Sequence, residues 1–184
     1  MSDSDSALTK RQWRHQLKAI RQMISANRKN EASQSACEAL YHTTLSFNYV
    51  LSFASFGSEI NLNPFNEKLA YEKRLILPRT TEESIQLFLV ENLETLETHL
   101  WGMREPNPTL CEEIEPSQIL LALIPGLGFD LVSHHRLGYG RGYYDRLLLS
   151  LNQTETWGIG FKEQQVNDLP FEAQDMALTE IKLF

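Results

Sequence analysis

An uninterrupted apolar run at residues 119–125 constrains the fold of this chain more than any other feature. Ser117 precedes the run and Gly126 follows it. A strand that is apolar at every position, rather than at every second position, is typical of a parallel sheet with both faces covered. We therefore predict a central parallel strand that is buried on both faces.

Further strands and helices are predicted on both sides of this run. β-rich segments predict strands at residues 49–54, 74–77, 84–90 and 156–161, and a final edge strand at 176–184. Helices are predicted at residues 9–25, 29–44 and 143–151, and Asn63 as N-cap with Pro64 in the first turn predicts another helix through residue 72. This alternation favours an α/β fold with a mostly parallel sheet and helices on both sides. Ligands of such sheets bind at the carboxyl ends of the strands.

The first predicted helix carries an apolar stripe and a cationic stripe. Thr9 and Gln12 have the spacing of a capping box at its start. The apolar positions recur at steps of four, three and four residues and are expected to pack inward: Trp13, Leu17, Ile20 and Ile24. The basic positions recur at nearly the same interval on other sides of the helix: Lys10, Arg14, Lys18 and Arg21. These cations either face an anion or form a solvated helix face, which is the usual role of such charges.

Composition and charge exclude several classes of protein. With 184 residues, of which 42% are hydrophobic, the chain is expected to form one globular domain over residues 1–184. The net charge of −7 argues against a nucleic-acid partner, although no Asp or Glu occurs between Ser6 and Asn30. There is no run of membrane-spanning length and no secretory signal, and Cys37 and Cys111 fit no metal or redox spacing. We expect a cytoplasmic monomer without a membrane partner.

A glycine-rich loop at residues 136–145 carries the strongest functional signal. Gly138, Gly140 and Gly142 allow positive φ, so that backbone N–H groups can converge on an anion. The following helix adds its positive end, and Arg136 and Arg141 can donate to phosphate oxygens. The spacing is neither the Walker pattern nor the dinucleotide fingerprint. Glycines alone would equally suit a mobile turn with solvated arginines, and the flanking strand, helix and arginines favour phosphate binding.

Asp145 follows this loop by one short turn. Its carboxylate could hold Mg²⁺, or it could be an exposed first-turn residue that the helix dipole favours. His134 and His135 precede the loop without partner carboxylates, which indicates loop surface rather than a metal site.

These residues resemble the 5-formyltetrahydrofolate cyclo-ligases, also called 5,10-methenyltetrahydrofolate synthetases, over nearly the full chain. The resemblance is carried by residues 124–130, Arg136-Leu137-Gly138 and Gly142-Tyr143-Tyr144-Asp145, and it extends to Lys10-Arg11-x-x-Arg14, Ser58-Glu59-Ile60, Leu77-Pro78-Arg79 and Asp175. It implies a three-layer α/β/α sandwich around a mostly parallel sheet. It also implies an enzyme that uses ATP and Mg²⁺ to close 5-formyltetrahydrofolate into its 5,10-methenyl form.

The resemblance assigns roles by position in this sequence. The implied catalytic cations are Arg136, Lys10 and Arg14. The implied ATP-binding residues are Lys10, Arg11, Arg14, Arg136, Leu137, Gly138, Tyr139, Gly140, Arg141, Gly142, Tyr143 and Tyr144. The implied folate-binding residues are Ala54, Phe56, Glu59, Trp101 and Tyr143, and the implied Mg²⁺ ligands are Asp145 and Asp175.

Other interpretations of the same residues remain open. Glu59 could cap the next turn, and Trp101 could be a core residue. A sugar-phosphate isomerase would bind phosphate with a similar loop but would need no nucleotide. An RNA or protein adaptor could use the basic first helix, although the intact loop and the acidic net charge disfavour it. The resemblance itself implies phosphorylation of the formyl oxygen by ATP, an N5-iminium phosphate, attack by the N10 amine, and release of ADP and phosphate.

Overall fold

The computed structural model describes residues 8–81, 84–98 and 102–184. The helices in these ranges are α1 (Lys10–Met23), α2 (Ala26–Thr43), α3 (Asn63–Tyr71) and α4 (Tyr143–Ser150). The strands are β1 (Val50–Leu51), β2 (Leu75–Thr80), β3 (Ile85–Leu89), β4 (Leu96–Thr98), β5 (Arg104–Pro106), β6 (Glu112–Glu113), β7 (Leu121–Pro125), β8 (Gly128–Asp130), β9 (Arg136–Leu137), β10 (Glu155–Gly160), β11 (Gln165–Val166) and β12 (Glu180–Leu183).

A seven-stranded sheet forms the centre of the described chain, in the order β12-β10-β7-β1-β2-β3-β6. The pairings from β12 through β2 are all parallel. β3 and β6 extend the sheet with antiparallel pairings at the other end. The sheet is therefore mostly parallel, and β12 is an edge strand, as the sequence predicts.

The predicted central strand is buried on both faces. Leu121 and Leu123 of β7 belong to one hydrophobic cluster, Ala122 and Ile124 belong to another, and all four are 0% exposed. Successive side chains of a strand point to opposite faces, so the clusters lie on opposite sides of the sheet. Residues of α2 and α3 cover the first cluster, and residues of α4 cover the second. The three-layer α/β/α arrangement is confirmed.

The capping box is confirmed, but two other local predictions are wrong. The Thr9 hydroxyl accepts from the Gln12 N–H at 3.3 Å, and Gln12 Oε1 accepts from the Thr9 N–H at 2.8 Å. Ile20 is 40% exposed rather than inward, whereas Arg21 is only 3% exposed because it faces the loops described below. Asn63 is the first residue of α3 and not its cap, because the helix starts one residue earlier than predicted.

A small sheet of β11, β8 and β9 follows the carboxyl end of β7 and supports α1. Leu17 packs there with Leu127, Leu137 and Leu169. A Cβ on Gly128 would lie 2.6 Å from Leu17 Cδ1, so glycine permits the close approach of α1. These contacts hold α1 over the loops at this end of the sheet. In the described ranges, no helix is long and apolar enough to cross a membrane.

Candidate phosphate and substrate site

The glycine-rich loop leads from β9 into α4. Gly140 and Gly142 have φ values of +95° and +67°, and Gly142 is the left-handed N-cap of α4. Other residues adopt this region only with strain. A Cβ on Gly138 would meet nothing within 4 Å. The loop thus leaves space beside the amino end of α4, where an anion is stabilised by the helix.

Arg136 stands at the start of this loop with its side chain 3% exposed. Its Nη2 donates to Asp145 Oδ1 at 3.0 Å, and its guanidinium carbon lies 6.0 Å from the centre of the Tyr144 ring. Its Nε is buried and has no hydrogen-bond partner among the described residues. Buried donors are rarely unpaired, so this N–H suits an anionic acceptor such as a phosphate oxygen.

Lys10 is tied to the last part of the chain. Its Nζ lies 2.5 Å from Asp175 Oδ2 and 3.2 Å from Glu172 Oε1. Burial opposes a charged amine, but hydrogen bonds to these two acids outweigh it and raise the pKa of Lys10. Lys10 therefore stays a cation, and it brings Asp175 to α1.

Arg14 contacts the glycine loop directly. Its Nε donates to the Gly138 carbonyl at 2.9 Å, and a Cβ on Gly140 would lie 3.0 Å from Arg14 Cζ. Arg11 is exposed and lines a depression with Gln12 and His15. The structure therefore brings Arg14 to the predicted loop and places Arg11 on another side of α1.

Glu59 is a nearly buried carboxylate in the loop after β1. Its side chain is 9% exposed, and its Oε1 lies 3.8 Å from Arg21 Nη1. Its Oε2 accepts from the Phe56 N–H at 3.0 Å. Burial raises the pKa of Glu59, while the charge of Arg21, the Phe56 N–H and the Tyr139 hydroxyl oppose that rise. The polar partners of Glu59 thus favour its charged form against burial.

Arg21 belongs to this group, although sequence reasoning did not assign it there. Its Nε donates to Ser58 Oγ at 2.9 Å and its Nη1 to the Gly126 carbonyl at 3.2 Å. Its Nη2 donates to the Tyr139 hydroxyl. Its position seven residues after Arg14 places both arginines on one face of a helix, and this spacing is the sequence feature that indicates a place for Arg21 near the loop.

Of the other predicted folate-binding residues near Glu59, the structure describes Ala54 and Phe56. Ala54 and Phe56 lie in the same loop as Glu59, and Phe56 is 37% exposed. A Cβ on Gly102 would lie 3.1 Å from Phe56 Cε2, so the segment after residue 101 contacts this loop. Trp101 lies outside the described residues.

The remaining predicted loop residues differ in how much they can offer a ligand. The Leu137 side chain belongs to the core, so only its backbone faces the loop. Arg141 is exposed, and Tyr143 is half-buried at the start of α4. Burial, aided by the charge of Glu59, raises the pKa of Tyr144 far above its ordinary value, so its hydroxyl remains a neutral donor.

The two predicted metal ligands have different partners. Asp145 is 34% exposed and pairs with Arg136. Asp175 Oδ2 accepts both from Lys10 Nζ and from the Glu172 N–H at 2.7 Å. Burial opposes the charged form of Asp175, but these hydrogen bonds lower its pKa. Residues 8–81, 84–98 and 102–184 contain no cluster of three or more His, Cys, Asp or Glu side chains that could hold a metal.

Several known proteins are similar to this chain over most of its length. The model of the 5-formyltetrahydrofolate cyclo-ligase family matches residues 6–183. The 5-formyltetrahydrofolate cyclo-ligase of Haemophilus influenzae is 28% identical over 182 residues, which cover 94% of this chain and 96% of that protein. A probable 5-formyltetrahydrofolate cyclo-ligase of Caenorhabditis elegans is 28% identical over 145 residues, covering 70% of this chain and 69% of the relative. The NMR structure of Aquifex aeolicus 5,10-methenyltetrahydrofolate synthetase has a TM-score of 0.82 at 27% identity and covers 95% of this chain and 89% of its own. This chain is therefore an enzyme of the 5-formyltetrahydrofolate cyclo-ligase family.

Proposed function

We propose that this protein uses ATP and Mg²⁺ to convert 5-formyltetrahydrofolate into 5,10-methenyltetrahydrofolate, with release of ADP and phosphate. The family match over residues 6–183 is the observation that carries the proposal. The loop supports the use of a nucleotide, because Arg14 and the unpaired Nε of Arg136 accompany its glycines beside the start of α4.

The chemical obstacle is a poor leaving group. The N10 amine cannot displace the oxygen of the N5-formyl amide unaided. Transfer of the γ-phosphoryl group to that oxygen breaks the bond between the γ-phosphorus and the oxygen that ADP retains, and it gives an N5-iminium phosphate. The N10 amine then adds to the formyl carbon and loses its proton. The carbon–oxygen bond breaks, phosphate leaves, and the methenyl bridge remains.

The protein contributes position and charge to the first step, because phosphoryl transfer needs little covalent chemistry from side chains. Arg136 and Arg14 would hold phosphate oxygens at the loop. Lys10 adds a third cation from the same helix as Arg14. Glu59, a nearly buried carboxylate in the loop after β1, would accept from an N–H group of the folate.

Mg²⁺, when bound with the nucleotide, would neutralise phosphate charge and orient the phosphate oxygens. One or two carboxylates with phosphates and waters are a usual ligand set for this ion. Asp145 fits this role because its partly exposed carboxylate lies on the first turn of α4, next to the loop. Asp175 is the second candidate, and its Oδ2 already accepts from both Lys10 Nζ and the Glu172 N–H.

The test is an omission experiment with the full chain. The protein is incubated with 5-formyltetrahydrofolate, ATP and Mg²⁺, each component is left out in turn, and the absorbance of the methenyl product is followed. We expect product only when all three are present. Turnover without nucleotide would favour a different phosphate-dependent reaction. Salt-sensitive RNA binding without ATP hydrolysis would favour the adaptor.

A further inference from the structure

Arg21 joins three loops at the carboxyl end of the sheet. It donates to Ser58 in the loop after β1, to the Gly126 carbonyl after β7, and to Tyr139 in the glycine loop. The side chain is 3% exposed, so these contacts replace water almost completely. A guanidinium can serve three acceptors in one plane, whereas the point charge of a lysine cannot match that geometry.

Tyr139 connects Arg21 with Glu59. Its hydroxyl accepts from Arg21 Nη2, and it opposes the rise that burial causes in the pKa of Glu59. Arg21 Nη1 also lies 3.8 Å from Glu59 Oε1. On its other side, Glu59 accepts from the Phe56 N–H at 3.0 Å. The carboxylate is thus oriented by donors on two sides.

We infer that Arg21 is a positioning residue that, together with Tyr139, fixes Glu59 as an oriented acceptor for an N–H group of the substrate and connects it to the glycine loop. This inference rests on the proposed function, because the ligand of Glu59 is the folate of that reaction. Arg21 acts through Glu59 and Tyr139 rather than on the reacting atoms.

The positive charge of Arg21 favours the charged form of Glu59. Glu59 is faced by Arg21 from α1, by Tyr139 from the glycine loop and by Tyr144 from α4. Burial raises the pKa of Glu59, and the charge of Arg21 is the largest influence in the opposite direction. Tyr139 and Tyr144 are neutral hydroxyls whose pKa values burial raises. Without Arg21, Glu59 would lose its positive partner and would take up a proton at higher pH.

The direct test is a titration that needs no turnover. The carboxyl carbon of Glu59 is followed by ¹³C NMR in the full chain and assigned by its loss in Glu59→Gln. We expect Glu59 to titrate at higher pH in Arg21→Met than in the wild type, and at an intermediate pH in Arg21→Lys. Lys18→Met is the matched control, because Lys18 is an exposed cation of α1 that lies 5.2 Å from the Tyr139 ring centre. It should leave the titration unchanged.

Kinetics then test the link to the substrate. Arg21→Met should raise KM for 5-formyltetrahydrofolate about tenfold or more, the loss of one hydrogen bond to a charged group. It should also move the acidic limb of the kcat/KM profile to higher pH. Because Arg21 acts through Glu59, the same substitution should add little in a Glu59→Gln background.

Two results would overturn the inference. One is an unchanged titration of Glu59 in folded Arg21→Met. The other is that Arg21→Met lowers kcat/KM by the same factor in the wild type and in the Glu59→Gln background. If Arg21→Met does not fold, Arg21→Lys and Tyr139→Phe carry the same comparison, since each removes part of the network. If the wild type shows no cyclisation, the proposed function fails, and the titration alone still decides whether Arg21 controls the charge of Glu59.

Discussion

Removal of the Arg136 guanidinium should lower the rate of ATP-dependent cyclisation about a hundredfold or more. Arg136 is a buried cation at the start of the glycine loop, and its Nε is free to donate to a phosphate oxygen. A preorganised donor aimed at developing charge contributes roughly 3 kcal/mol to catalysis. Since about 1.4 kcal/mol corresponds to a tenfold change in rate, that loss equals roughly two powers of ten.

The assay compares Arg136→Ala, Arg136→Lys and Lys68→Ala at saturating 5-formyltetrahydrofolate and Mg-ATP, with the methenyl absorbance as signal. Arg136→Lys keeps the positive charge but loses the bidentate donation of the guanidinium, so its rate should be intermediate. Lys68 is an exposed cation on α3 that lies 4.4 Å from the Tyr41 ring centre, and its removal should leave the rate unchanged. Thermal unfolding of each variant separates loss of catalysis from loss of folding. Near wild-type cyclisation by folded Arg136→Ala would refute the role of Arg136.

Three further substitutions test the structure around the loop. Gln164 is 2% exposed and donates to two carbonyls after β7 at 2.8 and 3.0 Å. Gln164→Leu should therefore lower the free energy of unfolding in urea by about 3 kcal/mol. A free energy of unfolding equal to that of the wild type would contradict this. Gly140→Ala places a Cβ at φ +95° and 3.0 Å from Arg14 Cζ, and it should weaken Mg-ATP binding in calorimetry about tenfold; unchanged affinity would mean that this loop conformation is not required. Burial opposes the charge of Asp130, but three backbone N–H groups outweigh it and hold its pKa below the ordinary 3.8. The charged Asp130 therefore contributes to the free energy of unfolding above pH 3.8, and this contribution is lost as pH falls through the lowered pKa. Asp130→Asn should make the free energy of unfolding depend less on pH in the acid range. An unchanged pH dependence in that range would exclude this contribution.

The parts of the fold that were predictable depend on local sequence. The run at 119–125 predicts β7 because a strand with both faces covered needs apolar side chains on both. Thr9 and Gln12 predict the start of α1 because a capping box involves only four consecutive residues. The glycines of the loop predict positive φ, and two of them adopt it.

The parts that were not predictable depend on distant contacts. Arg21 is buried by partners that lie 37, 105 and 118 positions away in the sequence, so the local sequence does not show its burial. Helical spacing gives the relative directions of Ile20 and Arg21, but it cannot tell which of them meets the rest of the protein. The small sheet was also missed, because β8, β9 and β11 contain only two or three residues each and show no periodicity.

The arrangement of charge explains how a protein with net charge −7 forms a cationic site. Lys10, Arg14 and Arg21 share one face of α1, where like charges repel one another. Each is stabilised by a different loop: Lys10 by acids near the end of the chain, Arg14 by a carbonyl of the glycine loop, and Arg21 by the loop after β1. Because these partners come from the loops of both the proposed nucleotide site and the proposed folate site, α1 connects the two halves of the proposed site. A substitution that turns or shifts α1 should therefore impair both substrates, whereas a substitution in one loop should impair mainly one.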